Sequence, residues 1–397
     1  MSVAENFVIP RPSRRSFCWA SLAFLVVMLG TSLPTPLYPI YQQQMGFSRI
    51  IITVIFAVYA VGVIAALIGF GRWSDQLGRK PLLIAGLAMA IVSDIVFLFS
   101  GELTLLLVAR FFSGLSAGIF TGTATVAIIE QAPPSWQQGA TLTATVTNVM
   151  GLGLGPLIGG LLAEYAPLPL TLPYIVHGIL AVLAIIGVLL VPETVDRPDR
   201  LDLRIQRPNV PDEVRRVFIP AGIAGFAGTA VLGLFTAAAP SFVRELLHID
   251  NLAMIGVVVI TLFIASAVGQ ALLSFISQPN RLTGGCVVLA LGVVLVGASI
   301  GFASLGLMLL GATVSGLGQG ITLRAGLGEV VAHSPSDRKG EVTSTYFIVI
   351  YIAISLPVVG LGATSAVIGL TAAGVIFALL DAALALVARH LLIRRWA

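Results

Sequence analysis

Long apolar runs recur along the whole chain and restrict it to the folds that a lipid bilayer permits. A helix needs about 20 mainly apolar residues to cross the hydrocarbon core, where every backbone polar group must be satisfied within the protein. Only 10% of the 397 residues are charged, against about 25% in a typical soluble protein. The sequence therefore predicts an all-α integral membrane protein with twelve transmembrane spans, at residues 17–40, 50–70, 81–100, 103–129, 139–164, 172–192, 217–240, 252–274, 283–303, 305–330, 342–362 and 366–388.

Positive charge is distributed unevenly between the loops that join these spans. If the N-terminus is cytoplasmic, the opposite loops hold only Arg49 and Arg244 of the 22 lysines and arginines, and Arg110 and Arg324 lie within spans. Lysine and arginine concentrate in cytoplasmic loops, so both termini are predicted to be cytoplasmic and the protein to lie in the cell (inner) membrane. The net charge of +4 then reflects topology, and no nucleic-acid partner is predicted.

One long polar segment, residues 193–216, separates six spans from six spans. It mixes acids, arginines and prolines, which is typical of a solvated connection rather than of a packed element. We interpret it as a cytoplasmic linker between an N-terminal six-helix bundle, residues 1–192, and a C-terminal six-helix bundle, residues 217–397.

The two halves also resemble each other in sequence. Ser113 and Gly114 in span 4 reappear as Ser315 and Gly316 in span 10. Parallel repeats of six spans are related by an axis along the membrane normal. The pattern predicts two pseudo-symmetric bundles around a central cavity, which opens to either side as the bundles rock.

Glycine makes up half of the segment from Gly151 to Gly160 in span 5. Helical spacing places Gly151, Gly155 and Gly159 on one face, and a face without side chains lets another helix approach closely. Pro156 removes a backbone hydrogen bond and bends the helix. We expect this face to pack against span 8 of the second half and to seal the cavity against ion leak.

Three motifs carry a family resemblance. The loop segment GRWSDQLGRK, residues 71–80, resembles the G-x-L-A-D-R-x-G-R-K signature of the major facilitator superfamily, and Leu106 with Arg110 resembles its span-4 motif L-x-x-x-R-x-x-Q-G. The glycines of span 5 with Pro156 resemble G-x-x-x-G-P-x-x-G-G, the signature of the drug/proton antiporter branch. Span 1 lacks the acid that many such antiporters have. The departures from these motifs include Trp73, Gln76 and Ser113.

The loop motif implies a conformational latch between the halves. The resemblance implies that Asp75 faces the N-terminal end of span 11, where the helix dipole favours negative charge. Arg79 can pair with Glu130 at the cytoplasmic end of span 4, and the glycines allow tight backbone at the helix ends. The latch would stabilise the outward-facing state; a solvated basic loop that only fixes topology is the alternative. The predicted latch residues are Gly71, Asp75, Gly78, Arg79, Lys80 and Glu130.

Two charged residues lie inside apolar spans, Asp94 in span 3 and Arg110 in span 4. They are equally distant along the chain from the turn near Glu102, so they share a membrane depth. A charge at the bilayer centre costs about 2.5–3.5 kcal/mol even on lenient scales, and such residues usually pair. We predict a buried Asp94–Arg110 ion pair, which either couples transport to protons or is a static structural pair.

In the superfamily, spans 1, 4, 7 and 10 line the cavity. Here they carry mostly apolar or small residues, which suit amphipathic or apolar compounds better than sugars. His177 and Asp381 lie on spans that the family places peripherally, and a hydrogen-bonded interface role is favoured for His177. Tyr38 can equally belong to an aromatic belt, and Arg324 can extend to the membrane surface. The candidate substrate contacts are Tyr38, Phe111, Phe112, Phe235, Gln319 and Arg324.

These observations favour a secondary active transporter, a proton-coupled antiporter that exports small amphipathic or drug-like molecules by alternating access. A sugar or organic-solute symporter or uniporter of the same superfamily is the alternative. No P-loop pattern occurs, and the four histidines are scattered, so no enzyme activity is predicted. A receptor or scaffold would need large cytoplasmic domains. The expected partners are a small-molecule substrate, protons and the lipid bilayer; no cofactor or metal is expected, and the chain is predicted to be a monomer.

Overall fold

Twelve helical segments in the computed structural model are long and apolar enough to cross a membrane. The structure describes residues 13–71, 73–195, 208–335 and 338–396. Within this part of the chain, the predicted number of spans and the all-α class are confirmed. The segments are α1 Arg14–Met45, α2 Ile50–Phe70, α3 Arg79–Leu98, α4 Leu103–Gln131, α5 Pro134–Tyr165, α6 Leu172–Leu189, α7 Asp212–Leu246, α8 Leu252–Phe275, α9 Gln278–Gly301, α10 Leu305–Ala332, α11 Lys339–Ile368 and α12 Leu370–Arg394.

Two of these segments change helical form in their interior, whereas α5, α8 and α9 have a 3₁₀ turn only at one end. α1 contains a 3₁₀ turn at Thr35–Leu37, within its proline-rich stretch. α7 contains wide π turns at Leu234–Ala238 and Phe242–Leu246, on either side of Pro240. Proline removes a backbone donor, and local changes of helical form satisfy the freed groups inside a membrane. In both segments the change of helical form therefore coincides with proline.

Helix α7 begins earlier than the sequence pattern indicated. It starts at Asp212, inside the segment 193–216 that we interpreted as a linker. Asp212 and Glu213 occupy its first turn, where negative side chains are stabilised by the helix dipole. Residues 196–207 of the same segment lie outside the described residues, so the division into domains stays a prediction.

Close helix packing repeats between the two halves. An added Cβ at Gly114 of α4 would overlap the carbonyl oxygen of Tyr59 in α2, and one at Gly316 of α10 would overlap that of Leu262 in α8. Each glycine therefore allows the same helix pair of its own half to approach closely. The sequence repeat corresponds to a structural repeat.

The described contacts between the halves concentrate on one side of the membrane. We call the side where α1 starts and α12 ends the terminal face, and the other side the opposite face. The helix pairs α5–α8 and α2–α11 join the halves, and near the opposite face Gly160 contacts Leu252 and Gly362 contacts Thr53. The carboxylate of Glu164 accepts the backbone N–H of Leu252 at 2.9 Å, and Asn251 donates to the Tyr165 hydroxyl at 3.0 Å. Side-chain hydrogen bonds therefore join the two halves at the opposite face.

Candidate functional site

A charged cluster lies on the terminal face, between the α2–α3 loop and the end of α4. The Arg79 guanidinium donates to both carboxylate oxygens of Glu130, at 3.2 and 3.0 Å, and to Asp75 at 2.5 Å. Bidentate arginine–carboxylate pairs are among the stronger hydrogen-bonded contacts and restrict geometry. The cluster therefore ties the loop and the start of α3 to α4.

Glu193 completes the cluster, although sequence reasoning assigned it to the linker. Its carboxylate accepts the backbone N–H groups of Arg79 at 2.8 Å and Lys80 at 3.0 Å. Gly78, at φ +105°, has no room for a Cβ against that carboxylate. Thr194 donates to Glu130 at 2.5 Å. No local signal marks Glu193 and Thr194, because their partners are more than sixty residues away in the chain.

The structure changes two parts of the latch prediction. Gly71 has φ −55°, an ordinary helical conformation that any residue adopts. The Asp75 side chain is 66% exposed, and its ion pair within the described residues is with Arg79 of its own half. The predicted contact of Asp75 with the start of α11 is absent from the described contacts. In the part of the chain that the structure describes, the hydrogen bonds of the cluster named above join the α2–α3 loop and α3 to α4 and to Glu193 and Thr194, and the hydrogen bonds between the halves lie nearer the opposite face.

Asp94 pairs with His177 of α6, so the predicted Asp94–Arg110 ion pair is wrong. The Asp94 Oδ2 atom lies 2.7 Å from His177 Nδ1, and His177 Nε2 lies 3.0 Å from the carbonyl oxygen of Val26 in α1. Asp94 is 6% exposed and His177 2%. Equal depth predicted the pair, but depth does not determine the direction of a side chain around its helix axis, and Asp94 faces α6 and α1.

Arg110 extends instead toward α1 and α2. Its Nη1 atom donates to the carbonyl oxygen of Thr31 at 2.5 Å. Its guanidinium carbon lies 4.7 Å from the centre of the Tyr59 ring and 5.4 Å from that of Phe56. Cation–π contact and a charge-assisted hydrogen bond stabilise this buried charge. Within the described residues, Arg110 Nε has no hydrogen-bond partner.

A small polar cavity lies beside the Asp94–His177 pair. Its walls include Gly30 and Thr31 of α1 and Ser113 and Ser116 of α4. The His177 ring occupies the space in which a Cβ at Gly30 would lie. Because Gly30 precedes Thr31, one stretch of α1 contacts both the pair and Arg110.

At mid-depth, Tyr351 of α11 makes a polar contact with the first half. The hydroxyl groups of Thr121 in α4 and Tyr351 in α11 are 3.1 Å apart. Both residues are buried. Sequence reasoning did not select either residue, since isolated hydroxyls are common in membrane helices.

The structure does not gather the six candidate substrate contacts into one site. Tyr38 and Phe235 belong to the hydrophobic core, and Gln319 is buried and accepts a hydrogen bond from Ser266 of α8. Phe111 and Phe112 are half-buried. Arg324 donates to the carbonyl oxygen of Gln270 at 2.5 Å and lines a separate cavity of the second half. Their role in substrate contact stays a prediction.

The face of α5 formed by Gly151, Gly155 and Gly159 packs against α1 rather than against the predicted partner α8, whereas other glycines of α5 do contact α8. Gly153 and Gly160 contact α8, where a Cβ at Gly160 would overlap the carbonyl oxygen of Leu252. Because α5 lies between α1 and α8, glycines are needed on two of its faces. The face that we expected against α8 contacts α1 of its own half, at Gly151, Gly155 and Gly159.

Two repeated six-helix halves with closely packed glycine contacts, a charged loop cluster and buried ionisable side chains define a polytopic membrane protein of the kind that moves solutes by alternating access. The model of the Major Facilitator Superfamily matches residues 20–358. The chain belongs to the major facilitator superfamily. Its members are transporters rather than enzymes.

Comparison with curated proteins gives partial matches. Quinolone resistance protein NorA of Staphylococcus aureus is 28% identical over 164 residues, which are 41% of this chain and 41% of that protein. An uncharacterized MFS-type transporter of Methanocaldococcus jannaschii is 30% identical over 161 residues, 40% of this chain and 41% of that protein. The chain therefore matches these relatives over about two fifths of their length.

Solved structures match over nearly the whole chain. The human organic anion transporter MFSD10 (TETRAN) has a TM-score of 0.67 at 18% identity and covers 96% of this chain and 100% of that one. A bacterial homologue of the human lysosomal transporter Spinster, inward-facing and unoccupied, has a TM-score of 0.71 at 14% identity, with 96% and 97% coverage. These likenesses show the fold, and the predicted major facilitator architecture is confirmed.

Proposed function

We propose that the chain is a proton-coupled antiporter that exports small amphipathic molecules across the cell (inner) membrane, with both termini in the cytoplasm. The unequal distribution of lysine and arginine supports this orientation. The partial likeness to the quinolone resistance protein NorA and the span-5 glycine pattern support drug export. In this orientation, the contacts between the halves at the opposite face correspond to closure toward the outside.

The observation that carries the proposal is the number of protons that the Asp94–His177 pair requires. The Val26 carbonyl oxygen can only accept, so His177 Nε2 must carry a hydrogen. A neutral imidazole has one N–H group, and Nε2 already has it. The 2.7 Å contact between Nδ1 and Oδ2 therefore needs a second proton, on His177 or on Asp94. The pair holds one proton that can leave.

Loss of that proton would change the packing of α1. The Asp94 carboxylate would then lie in the membrane without a counter-charge, which costs about 2.5–3.5 kcal/mol even on lenient scales. Arg110 of α4, the cation that we predicted at the same depth, is directed to the carbonyl oxygen of Thr31 instead. Since His177 contacts Val26 and Gly30, the change would act first on α1, which packs on α5.

Transport driven by a pH gradient in proteoliposomes tests the proposal. The wild-type chain is expected to move ethidium, an amphipathic cation, against its gradient while protons move the other way. Asp94→Asn and His177→Gln each remove the proton exchange of the pair and should lower this coupled transport more than about tenfold. A tenfold change corresponds to about 1.4 kcal/mol, which is less than the cost of an unpaired charge in the membrane that drives the proposed change. Counterflow of ethidium without a pH gradient should persist in both variants.

The exposed Asp212, near the start of α7, supplies the control. Asp212→Asn removes a carboxylate outside the membrane, so coupled transport should equal that of the wild type. Unchanged coupling in Asp94→Asn would show that the pair does not carry the transported proton. Wild-type chain that moves no ethidium in response to the gradient would argue against the antiporter itself.

A further inference from the structure

Asp381 is a buried carboxyl group that takes no part in the contacts above. It lies near the middle of α12 and is 6% exposed. Within the described residues, its Oδ2 atom has no hydrogen-bond partner. An unpaired carboxyl group at this depth is costly, and such residues usually have a partner. Within the described part of the chain, no cationic side chain is found that would neutralise an ionised Asp381.

Asp381 lines a cavity of about 330 Å³ between α7, α11 and α12. Apart from Asp381, the one polar side chain of its wall is Thr364, whose hydroxyl donates to the Gly360 carbonyl oxygen at 2.8 Å. A Cβ added at Gly360 would meet open space. The carboxyl group is thus the polar feature of an otherwise apolar chamber.

A second cavity of about 360 Å³ continues from the first toward the terminal face. The two share Phe226 and Leu384 as wall residues, and the side chains around the second are apolar. We call the two cavities together the α12 groove. Small-molecule sites commonly have about 300–1,000 Å³, so the groove has room for a ligand with one polar end and a long apolar part.

The groove is open to the lipid-facing surface. Ile376 and Leu380 of α12 are 43% and 67% exposed, and Ile219 of α7 is 53% exposed. Exposed apolar side chains on a membrane span face the acyl chains, because water would make their exposure unfavourable. A ligand dissolved in the bilayer can therefore reach the groove sideways.

We propose that the α12 groove binds a single-chain lipophilic cation, with its cationic head beside Asp381 and its alkyl chain along the second cavity. A cation supplies the counter-charge that Asp381 lacks, and the apolar wall suits an alkyl chain. An anion would be repelled, and a sugar would leave its hydroxyl groups without partners. The choice of an amphiphile rests on the proposed export function, whereas the carboxyl group and the groove do not depend on it.

Binding of radiolabelled dodecyltrimethylammonium to the full-length chain in phosphatidylcholine nanodiscs tests this site. We expect saturable binding that other single-chain cations displace and dodecanol does not. Asp381→Asn keeps the shape and removes the charge, and Gly360→Leu fills the cavity and keeps the charge. Each should weaken binding at least about tenfold, and Asp381→Glu should restore most of the affinity lost in Asp381→Asn.

Gly284 of α9 provides a matched control for the filled cavity. A Cβ at Gly284 also meets open space, but Gly284 lies outside the groove, so Gly284→Leu should bind like the wild type. Equal binding by wild type, Asp381→Asn and Gly360→Leu would overturn the proposal, as would the absence of saturable binding in the wild type. Displacement by added phosphatidylethanolamine would assign the groove to a resident lipid and overturn it too.

The assay needs neither transport nor a pH gradient, so it separates this site from the antiporter proposal. Dodecyltrimethylammonium binding that depends on Asp381 would stand even if Asp94→Asn left coupled transport unchanged. Conversely, loss of coupling in Asp94→Asn combined with equal binding by Asp381→Asn would leave the antiporter in place and remove the groove as a ligand site.

Discussion

Gly155→Leu is expected to abolish transport while leaving the protein inserted in the membrane. A Cβ at position 155 would overlap the carbonyl oxygen of Leu29 and lie 2.8 Å from the backbone nitrogen of Leu33. Both atoms belong to the backbone of α1, which cannot move aside as a flexible side chain can. Overpacking in a tight interior costs about 1–3 kcal/mol, which corresponds to a loss of up to roughly a hundredfold in a population or rate.

The measurement compares ethidium transport in proteoliposomes with the amount of folded protein recovered from the membrane. Gly139→Leu is the matched control, because Gly139 lies in the same helix and an added Cβ there meets open space. It should transport like the wild type, and Gly155→Ala should fall between the two leucine variants. Transport by Gly155→Leu at the wild-type rate would mean that the α1–α5 contact tolerates separation and has no special role.

Arg79→Ala is expected to reduce transport by about tenfold. The change removes the bidentate pair with Glu130 and the pair with Asp75, so the α2–α3 loop loses its connection to α4. The acids are partly exposed, and water compensates for part of the loss. Arg79→Lys should recover only part of the activity, since an ammonium group cannot form the bidentate pair. Initial rates of transport in proteoliposomes check the order wild type, lysine, alanine.

Arg215→Ala is the control for the loss of an exposed arginine. Arg215 pairs with Asp212, and both side chains are largely exposed, so its removal should not change the rate. Asp75→Asn addresses the remaining part of the latch hypothesis: it should slow transport if Asp75 contacts α11 in another state. Wild-type transport rates in both Arg79→Ala and Asp75→Asn would contradict the latch hypothesis and indicate that the charged cluster only fixes the topology of the loop.

The membrane spans could be predicted because their signal is local. Each apolar run is as long as the bilayer requires, and this requirement does not depend on how the other spans pack. The repeat could also be predicted from the sequence. Gly114 and Gly316 recur because each keeps the same helix pair of its half close together. The pairing of Arg79 with Glu130 followed from a loop charge and a helix-end acid on the same face. The start of α7 was missed, because polar first-turn residues resemble a linker.

The partners of buried groups could not be predicted with the same success. Counting residues placed Asp94 and Arg110 at one depth, but not on facing sides of their helices. The glycines of α5 were recognised as contact residues, yet their partner helix depends on which elements surround α5. Glu193 and Thr194 contact residues far away in the chain, and no spacing rule connects them.

The sequence by itself determined the class of fold and the number of spans. Bilayer thickness and backbone hydrogen bonding impose these features on each segment separately. The sequence also marked the glycines of α5 as helix contacts and Asp94 and Arg110 as charges inside spans. The tertiary structure alone decided that Asp94 meets His177, that Arg110 meets Thr31 and Tyr59, and that Asp381 lines the α12 groove. Those outcomes depend on the rotation of each helix about its axis, which is decided when all twelve pack together.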